Sequence, residues 1–228
     1  MSYNYLPLDH KWLHIEQIEN LLAYQQLLSI TFTAHEQITS NSFHENEEKI
    51  TEILNYIDIK EQLNSSKNVS VQQLNEDVIQ LMIAFKIKSL SYGKSGVSIE
   101  TVKQLLHIYN HQIIPIIPPF HKSENIHALS SLCRMMNNNQ QVYFSQRLIP
   151  INTAFAETGF ISKVLNKQEI LAISTGNQYT TACSYFTIQK AKKIIALFTH
   201  AFANCVQIVG YKKEHWQKSN FYNKKIDS

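Results

Sequence analysis

Glycine and proline are scarce, five of each in 228 residues, where average usage puts the two together at roughly 12%. So few chain breakers exclude a collagen-like chain, a glycine-rich β-protein and a flexible linker, and they leave helices as the simplest reading. Cysteine is equally thin. Cys133, Cys183 and Cys205 form no CxxC pair and cannot all pair with one another, a usage that fits reduced thiols in a cytoplasmic protein. Charge of one sign is lacking too. The 21 basic and 18 acidic residues give a net +3, too little for a nucleic-acid partner, which needs a clustered basic face. Lysines do gather at Lys212, Lys213, Lys218, Lys224 and Lys225, and they read as a solvated terminus. No basic-then-apolar leader opens the chain, and its most apolar run, Ile113 to Phe120, is cut by Pro115, Pro118 and Pro119. Neither a signal peptide nor a membrane span is expected.

Hydrophobic residues make up 44% of the chain and charged ones 17%, a balance that supports one buried core. Ile15, Ile18, Leu21, Leu22 and Leu28 suggest a first helix over Ile15 to Leu28, and Ile50, Ile53, Leu54 and Ile57 a second over Glu45 to Ile57. The polar stretch from Asp58 to Val71 reads as a loop. Asn75 is a helix cap followed by Glu76 and Asp77, acids placed where the helix dipole favours them. Val78, Leu81, Met82 and Phe85 then repeat at helical spacing. The run from Tyr92 to Gly96 stops that helix, and Ser98 caps the next, which carries Val102, Leu105, Leu106 and Tyr109.

Pro115 to Pro119 imposes extended backbone. A third such helix starts near Ile126, Leu129 and Leu132 and closes at Asn137 to Asn139, and Val142 to Ile149 reads as a short hairpin. Asn166 and Glu169 have the spacing of a capping box. Ile188, Ile194, Ile195, Leu197, Phe198 and Phe202 imply a long helix that is apolar nearly all round and must be covered on most sides. There is no internal repeat. The expected architecture is mainly α, a single unit over residues 1–228 with a small β-hairpin.

Few constellations carry chemistry by themselves. His107 and His111, like His10 and His14, stand four apart but lack a third ligand or the Glu of an HExxH motif, so no metal site is expected. Ser123 has His121, Lys122 and Glu124 as neighbours in sequence, whereas a nucleophilic serine needs its base brought in by the fold. Gly93-Lys94-Ser95 lacks the upstream glycine and strand of a phosphate loop.

The order of the pieces says more. Leu90-Ser91-Tyr92-Gly93-Lys94-Ser95-Gly96-Val97 resembles the Leu-Ala-Lys-Gly-Tyr-Ser-Gly-Val run of the histidine and phenylalanine ammonia-lyases. An acidic helix start, Leu105-Leu106, Asn110 and Pro115-Ile116-Ile117-Pro118 follow as in that family. Ser123-Glu124-Asn125-Ile126-His127-Ala128-Leu129 takes the place of its Ser-Gly-Asp-Leu-Ala-Pro-Leu, and Arg147 and Pro150 match its Arg-x-Leu-Pro hairpin end. Glu169 to Ala182 matches, without a gap, its Glu-Gly-Leu-Ala-Leu-Ile-Asn-Gly-Thr-Gln-Phe-Ser-Thr-Ala. The register runs from about Leu74 to Tyr211. Four of the five glycines, Gly93, Gly96, Gly159 and Gly176, fall where the family has glycine; Gly210 does not.

The resemblance implies the fold of the N-terminal half of an ammonia-lyase protomer, and it makes the departures informative. In the family an Ala-Ser-Gly cyclises to the electrophilic methylidene-imidazolone group, MIO. Lys122-Ser123-Glu124 stands there in this chain, and the Cβ of Glu124 opposes the close approach that glycine permits. The loop between Pro118 and Ser123 is shorter than the family's. The family's tyrosine loop has no counterpart, because Tyr56 leads into Ile57-Asp58-Ile59. Thr175 replaces the Asn that helps hold the electrophile, while Gln178 is kept. The family's later half, which supplies further substrate and acid-base residues, would begin near Phe221 to Ile226, where this sequence ends.

These departures imply a truncated, degenerate member: a cytoplasmic pseudoenzyme without MIO or catalytic residues, whose degenerate positions are Lys122, Ser123, Glu124, Asn125, Thr175 and Gln178. It would act by association with itself or with a full-length ammonia-lyase-like protein, and with neither nucleic acid nor membrane. The alternative is a divergent ammonia-lyase or aminomutase for an aromatic or imidazole amino acid, completed by a partner chain. A small-molecule binder using a remnant pocket near Gly93, Ser123 and Gln178 is a third reading.

Overall fold

Helix starts in this chain are written in capping side chains, and most of them operate as their sequence suggests. The computed structural model describes residues 5–9, 11, 13–41, 75–117, 125–137 and 140–210; the expected helix over Glu45 to Ile57 lies outside these. In chain order the elements are β1 (Tyr5–Leu8), α1 (Ile15–Tyr24), β2 (Leu27–Ile30), α2 (Phe32–Ser40), α3 (Glu76–Leu90), α4 (Ile99–Asn110) and β3 (Ile114–Pro115). There follow α5 (Asn125–Asn137), β4 (Gln141–Phe144), β5 (Arg147–Pro150), α6 (Ile151–Glu157), α7 (Lys167–Ser174) and α8 (Gln178–Ile208). The mainly α architecture is thus observed. The chain forms two compact units, Met1–Cys183 and Ser184–Ser228.

In the first unit α3 is extensively buried. Asn75 caps it by accepting a hydrogen bond from the Asp77 amide at 2.8 Å, the sequence-expected use of Asn at that position. Its burial is wider than the stripe that spacing suggests. Ile79, Met82, Ile83, Ile87 and Leu90 are buried, whereas Val78 and Phe85 are half-buried. Two lysines, Lys86 and Lys88, are buried with them. Ser98 caps α4 as expected, taking the Thr101 amide, and Val102, Leu105 and Ile108 of that helix are fully buried. Between α3 and α4 the chain turns at Gly93, whose φ is +68°. A Cβ there would stand 2.6 Å from the backbone carbonyl carbon of Gln37 in α2, so only glycine allows this approach.

The first helix is shorter than its apolar pattern predicts. α1 stops at Tyr24, Gln25 takes a left-handed conformation with φ +46°, and Leu28 lies in a strand rather than on the helix. β1 and β2 pair in parallel, Tyr5 opposite Leu27 and Leu8 opposite Ile30. The free edge of β2 is held by Asn110 at the end of α4. Its Nδ2 donates to the Leu28 carbonyl at 2.9 Å and its Oδ1 accepts from the Leu28 amide at 2.8 Å, the pairing a neighbouring strand would otherwise supply. The hairpin, by contrast, lies where its sequence places it. β4 and β5 pair antiparallel with Val142 opposite Ile149, and β3 adds a third strand through Ile114 and Tyr143. Leu129 and Leu132 of α5 are fully buried where α5 packs along α7.

Described by itself, the second unit is helical through Ile208, followed by a turn. Its large apolar side chains are largely exposed, from 49% at Phe202 to 72% at Phe198 and 86% at Ile208. Among the described residues no helix is long and apolar enough to cross a membrane.

Candidate functional site

α7 is only eight residues long, yet a buried charge sits at each end of it. At its start Asn166 and Glu169 form the capping box: the Glu169 amide donates to Asn166 Oδ1 at 2.8 Å, and the Asn166 amide to Glu169 Oε2 at 3.0 Å. The other oxygen of Glu169 gathers four donors. Lys163 Nζ lies at 2.6 Å, the hydroxyls of Ser98 and Thr101 at 2.7 Å, and the Ser98 amide at 3.1 Å. One carboxylate therefore serves the first turns of both α4 and α7, where negative charge is favoured. Glu169 is wholly buried. Burial alone would raise its pKa, but the hydrogen bonds from Lys163, Ser98, Asn166 and Thr101 outweigh that and hold it at about 2.

At the far end the charge is a cation. Lys86 of α3 is 2% exposed, and its Nζ donates to the carbonyls of Ala172 at 2.7 Å and Thr175 at 2.6 Å. Carbonyls in the last turn of a helix lack intrahelical donors, and a cation there is favoured by the dipole. Burial pushes the lysine down to about 8, against a smaller upward effect of Cys133 on α5. The Cys133 thiol itself donates to the Ile170 carbonyl of α7 at 3.5 Å.

Past this clamp the chain turns through Thr175-Gly176-Asn177 into α8. Thr175 Oγ1 donates back into its own helix, to the Leu171 carbonyl at 2.8 Å. Gly176 has φ +123°, and a Cβ on it would lie 2.3 Å from Gln178 Oε1; the Gln178 side chain folds over the glycine. That Oε1 is buried without a hydrogen-bond partner. The next residue, Tyr179, is buried, and burial together with its hydrogen bond to Cys183 pushes its phenol up to about 12.

The sequence-predicted site residues distribute as follows. Thr175 and Gln178 stand together at the α7–α8 turn. Asn125 is the first residue of α5, while Lys122, Ser123 and Glu124 lie outside the described residues, as does Tyr56. Gly93 packs against α2. A cavity of about 490 Å³, lined by Leu21, Tyr109, Asn110 and Tyr143 among others, has neither Gly93 nor Gln178 in its wall. The imidazole of His107 bonds the Thr158 hydroxyl at 2.8 Å and stacks on His111. Burial, with His111 adding to it, lowers its pKa to about 4. Among the described residues no group of three or more His, Cys, Asp or Glu is placed to hold a metal ion.

Sequence reasoning missed Lys86, Lys163 and the hydroxyls of Ser98 and Thr101 as parts of this arrangement. One signal was available for Lys86: it falls on the line Ile79, Ile83, Leu90 at helical spacing, a charge inside an apolar face.

The fold around this helix is shared with known proteins. The phenylalanine aminomutase of Pantoea agglomerans superposes with a TM-score of 0.67 at 16% identity, over 86% of this chain and 42% of that one. The class so defined is the mainly helical ammonia-lyase fold. In sequence, the histidine ammonia-lyase of Caldanaerobacter subterraneus is 26% identical over 127 residues, 54% of this chain and 25% of its own length. That of Aromatoleum aromaticum is 31% identical over 114 residues, 49% and 22% respectively. The family model described as aromatic amino acid lyase matches residues 45–222. The chain belongs to that family. The matched segments cover about a quarter of the length of these curated relatives.

Proposed function

We propose that this chain is a non-catalytic member of the aromatic amino acid lyase family that acts by self-association through α8. The observation that carries the proposal is the exposure of Ile188, Ile194, Ile195, Leu197, Phe198 and Phe202, each between 49% and 72%. α8 is about 46 Å long by helical rise, and six such side chains in contact with a partner would contribute on the order of 10 kcal/mol before the cost of association. Exposed apolar surface of this extent marks an interface.

The non-catalytic half of the proposal rests on the departures from the resembling motif. Glu124 stands where ring closure to MIO uses glycine. Thr175 stands where the family has Asn, and its hydroxyl proton is spent on the Leu171 carbonyl. Gln178 is folded over Gly176. Glu124 in the sequence, with Thr175 and Gln178 as they are placed, argues against the prosthetic group forming here.

Light scattering on a size-exclusion column tests association. We expect a species larger than the monomer, which Phe198→Asp returns to monomer; a monomer for the unsubstituted chain at micromolar concentration overturns the proposal. A mixed species formed with an ammonia-lyase-like chain would make the association heterologous. Intact mass and an absorbance assay with L-histidine and L-phenylalanine test the other half. An unmodified mass and no conjugated product are expected. Loss of two waters with product would instead establish a divergent lyase or aminomutase.

A further inference from the structure

We infer that Lys86 is the positioning residue of the α7–α8 turn: its buried amino group, bound to the Ala172 and Thr175 carbonyls, holds the segment from Thr175 to Gln178 in place. This rests on reading that turn as the counterpart of the family's substrate-holding segment. The side chain crosses from the centre of α3 to the end of α7, and both contacts, at 2.7 and 2.6 Å, are short for N–H···O bonds. Thr175 is the point where the helix stops. Its amide still makes the last helical bond, to the Leu171 carbonyl at 3.1 Å, while its own carbonyl is held by Lys86 instead of by a helical amide. Gly176 then takes a φ that side chains rarely adopt, and Gln178 opens α8.

The group is placed for this and for little else. At 2% exposure the lysine is largely desolvated, so an apolar side chain would fill the same space without desolvating a charge. What an apolar side chain lacks is the donor. The titratable group facing Lys86 is Cys133 of α5, whose thiol bonds the Ile170 carbonyl of α7. Two neighbouring elements thus donate to the last two turns of α7, and only Lys86 reaches past its end.

Hydrogen exchange read by mass spectrometry separates positioning from general support. In Lys86→Met we expect exchange over residues 171–182 to quicken at least tenfold while peptides from α4 and α5 keep their wild-type rates. Lys86→Arg, which retains donors, restores most of the protection. Unchanged exchange over 171–182 in Lys86→Met, or equal quickening across α3, α4, α5 and α7, overturns the inference. Should Lys86→Met not fold, Lys86→Gln, with two amide donors on a shorter arm, gives the same reading at an intermediate rate, and wild-type or uniformly quickened exchange in it counts against the inference. The exchange needs no lyase activity and can be read equally in the Phe198→Asp background, so failure of the functional proposal and failure of this one are distinguishable.

Discussion

The two ends of α7 solve the same problem in different ways. Both bury an ionisable group against helix-terminal backbone, an acid at the start and a cation at the finish, each of the sign the dipole favours. At the start, Glu169 has a counter-ion in Lys163 and three further side-chain or backbone donors on one oxygen. At the finish, Lys86 has two carbonyls and no carboxylate among its bonds. The pKa values record the difference: the acid is held in its charged form down to about 2, while the lysine is brought down to about 8. A buried charge is robust when hydrogen bonds and a counter-charge replace the water it lost, and titratable when partial dipoles alone do so.

The largest effect should come from removing the better-compensated charge. Glu169→Leu leaves Lys163, whose side chain is 35% exposed, without its partner, and the Ser98 and Thr101 hydroxyls without their acceptor. Breaking a fully buried pair typically costs about 3–5 kcal/mol; because solvent reaches Lys163, the loss should lie at or below the low end of that range, about 3 kcal/mol, with a corresponding fall in the urea midpoint. Lys86→Met removes a charge whose burial is only partly compensated. Its global stability should fall by less than that of Glu169→Leu, because removing a poorly compensated buried charge offsets the loss of its two hydrogen bonds, whatever happens locally at the turn. Equal losses in the two variants would erase the contrast drawn between the ends.

Next in size are the two pH arms. The folded pKa of Glu169, about 2, lies below its ordinary 4.5. The folded chain therefore binds fewer protons than the unfolded one between these values, so stability is fully present above pH 4.5 and is lost as pH falls toward 2. The amount is roughly 3 kcal/mol. Subtracting the Glu169→Gln curve isolates it from His107, whose own loss runs from pH 6.5 down to about 4. At Lys86 the folded pKa, about 8, also lies below the free value of 10.5. Here the same inequality makes stability rise with pH from 8 upward. The rise should be read below pH 10, because Tyr109 and Tyr179, both held up near 12, lose stability above that. Lys86→Met should remove that lysine's share of the alkaline rise, leaving the part due to Lys88, whose pKa burial also lowers, and should leave the acid arm untouched.

How much of this was legible beforehand follows from how local each device is. The capping box at Asn166 and Glu169, the caps at Asn75 and Ser98 and the β4–β5 hairpin depend on residues within a few positions of one another, and spacing alone reveals them. The ammonia-lyase register placed Thr175 and Gln178 at one turn. What spacing cannot show is a partner that arrives through the fold. Lys163 reaches Ser98 across 65 positions, and Lys86 reaches Thr175 across 89. Leu28 illustrates the same limit from the other side. Its apolar character fits the α1 helical pattern, yet β1 and Asn110, brought in from elsewhere, claim it for a strand.

The smallest effect expected is at Thr175, and it bears on which contact holds the turn. Its hydroxyl donates to the Leu171 carbonyl at 2.8 Å, which already accepts the Thr175 amide. Losing a second, exposed bond to an already satisfied carbonyl should cost at the low end of the usual 0.5–1.5 kcal/mol. Thr175→Val, equal in shape, should therefore lower the urea midpoint barely and leave exchange over residues 171–182 near wild type. If Thr175→Val instead loosened that segment as much as Lys86→Met, the turn would be held by its own hydroxyl. The comparison between the two ends of α7 would then be one between a buried ion pair and a local cap.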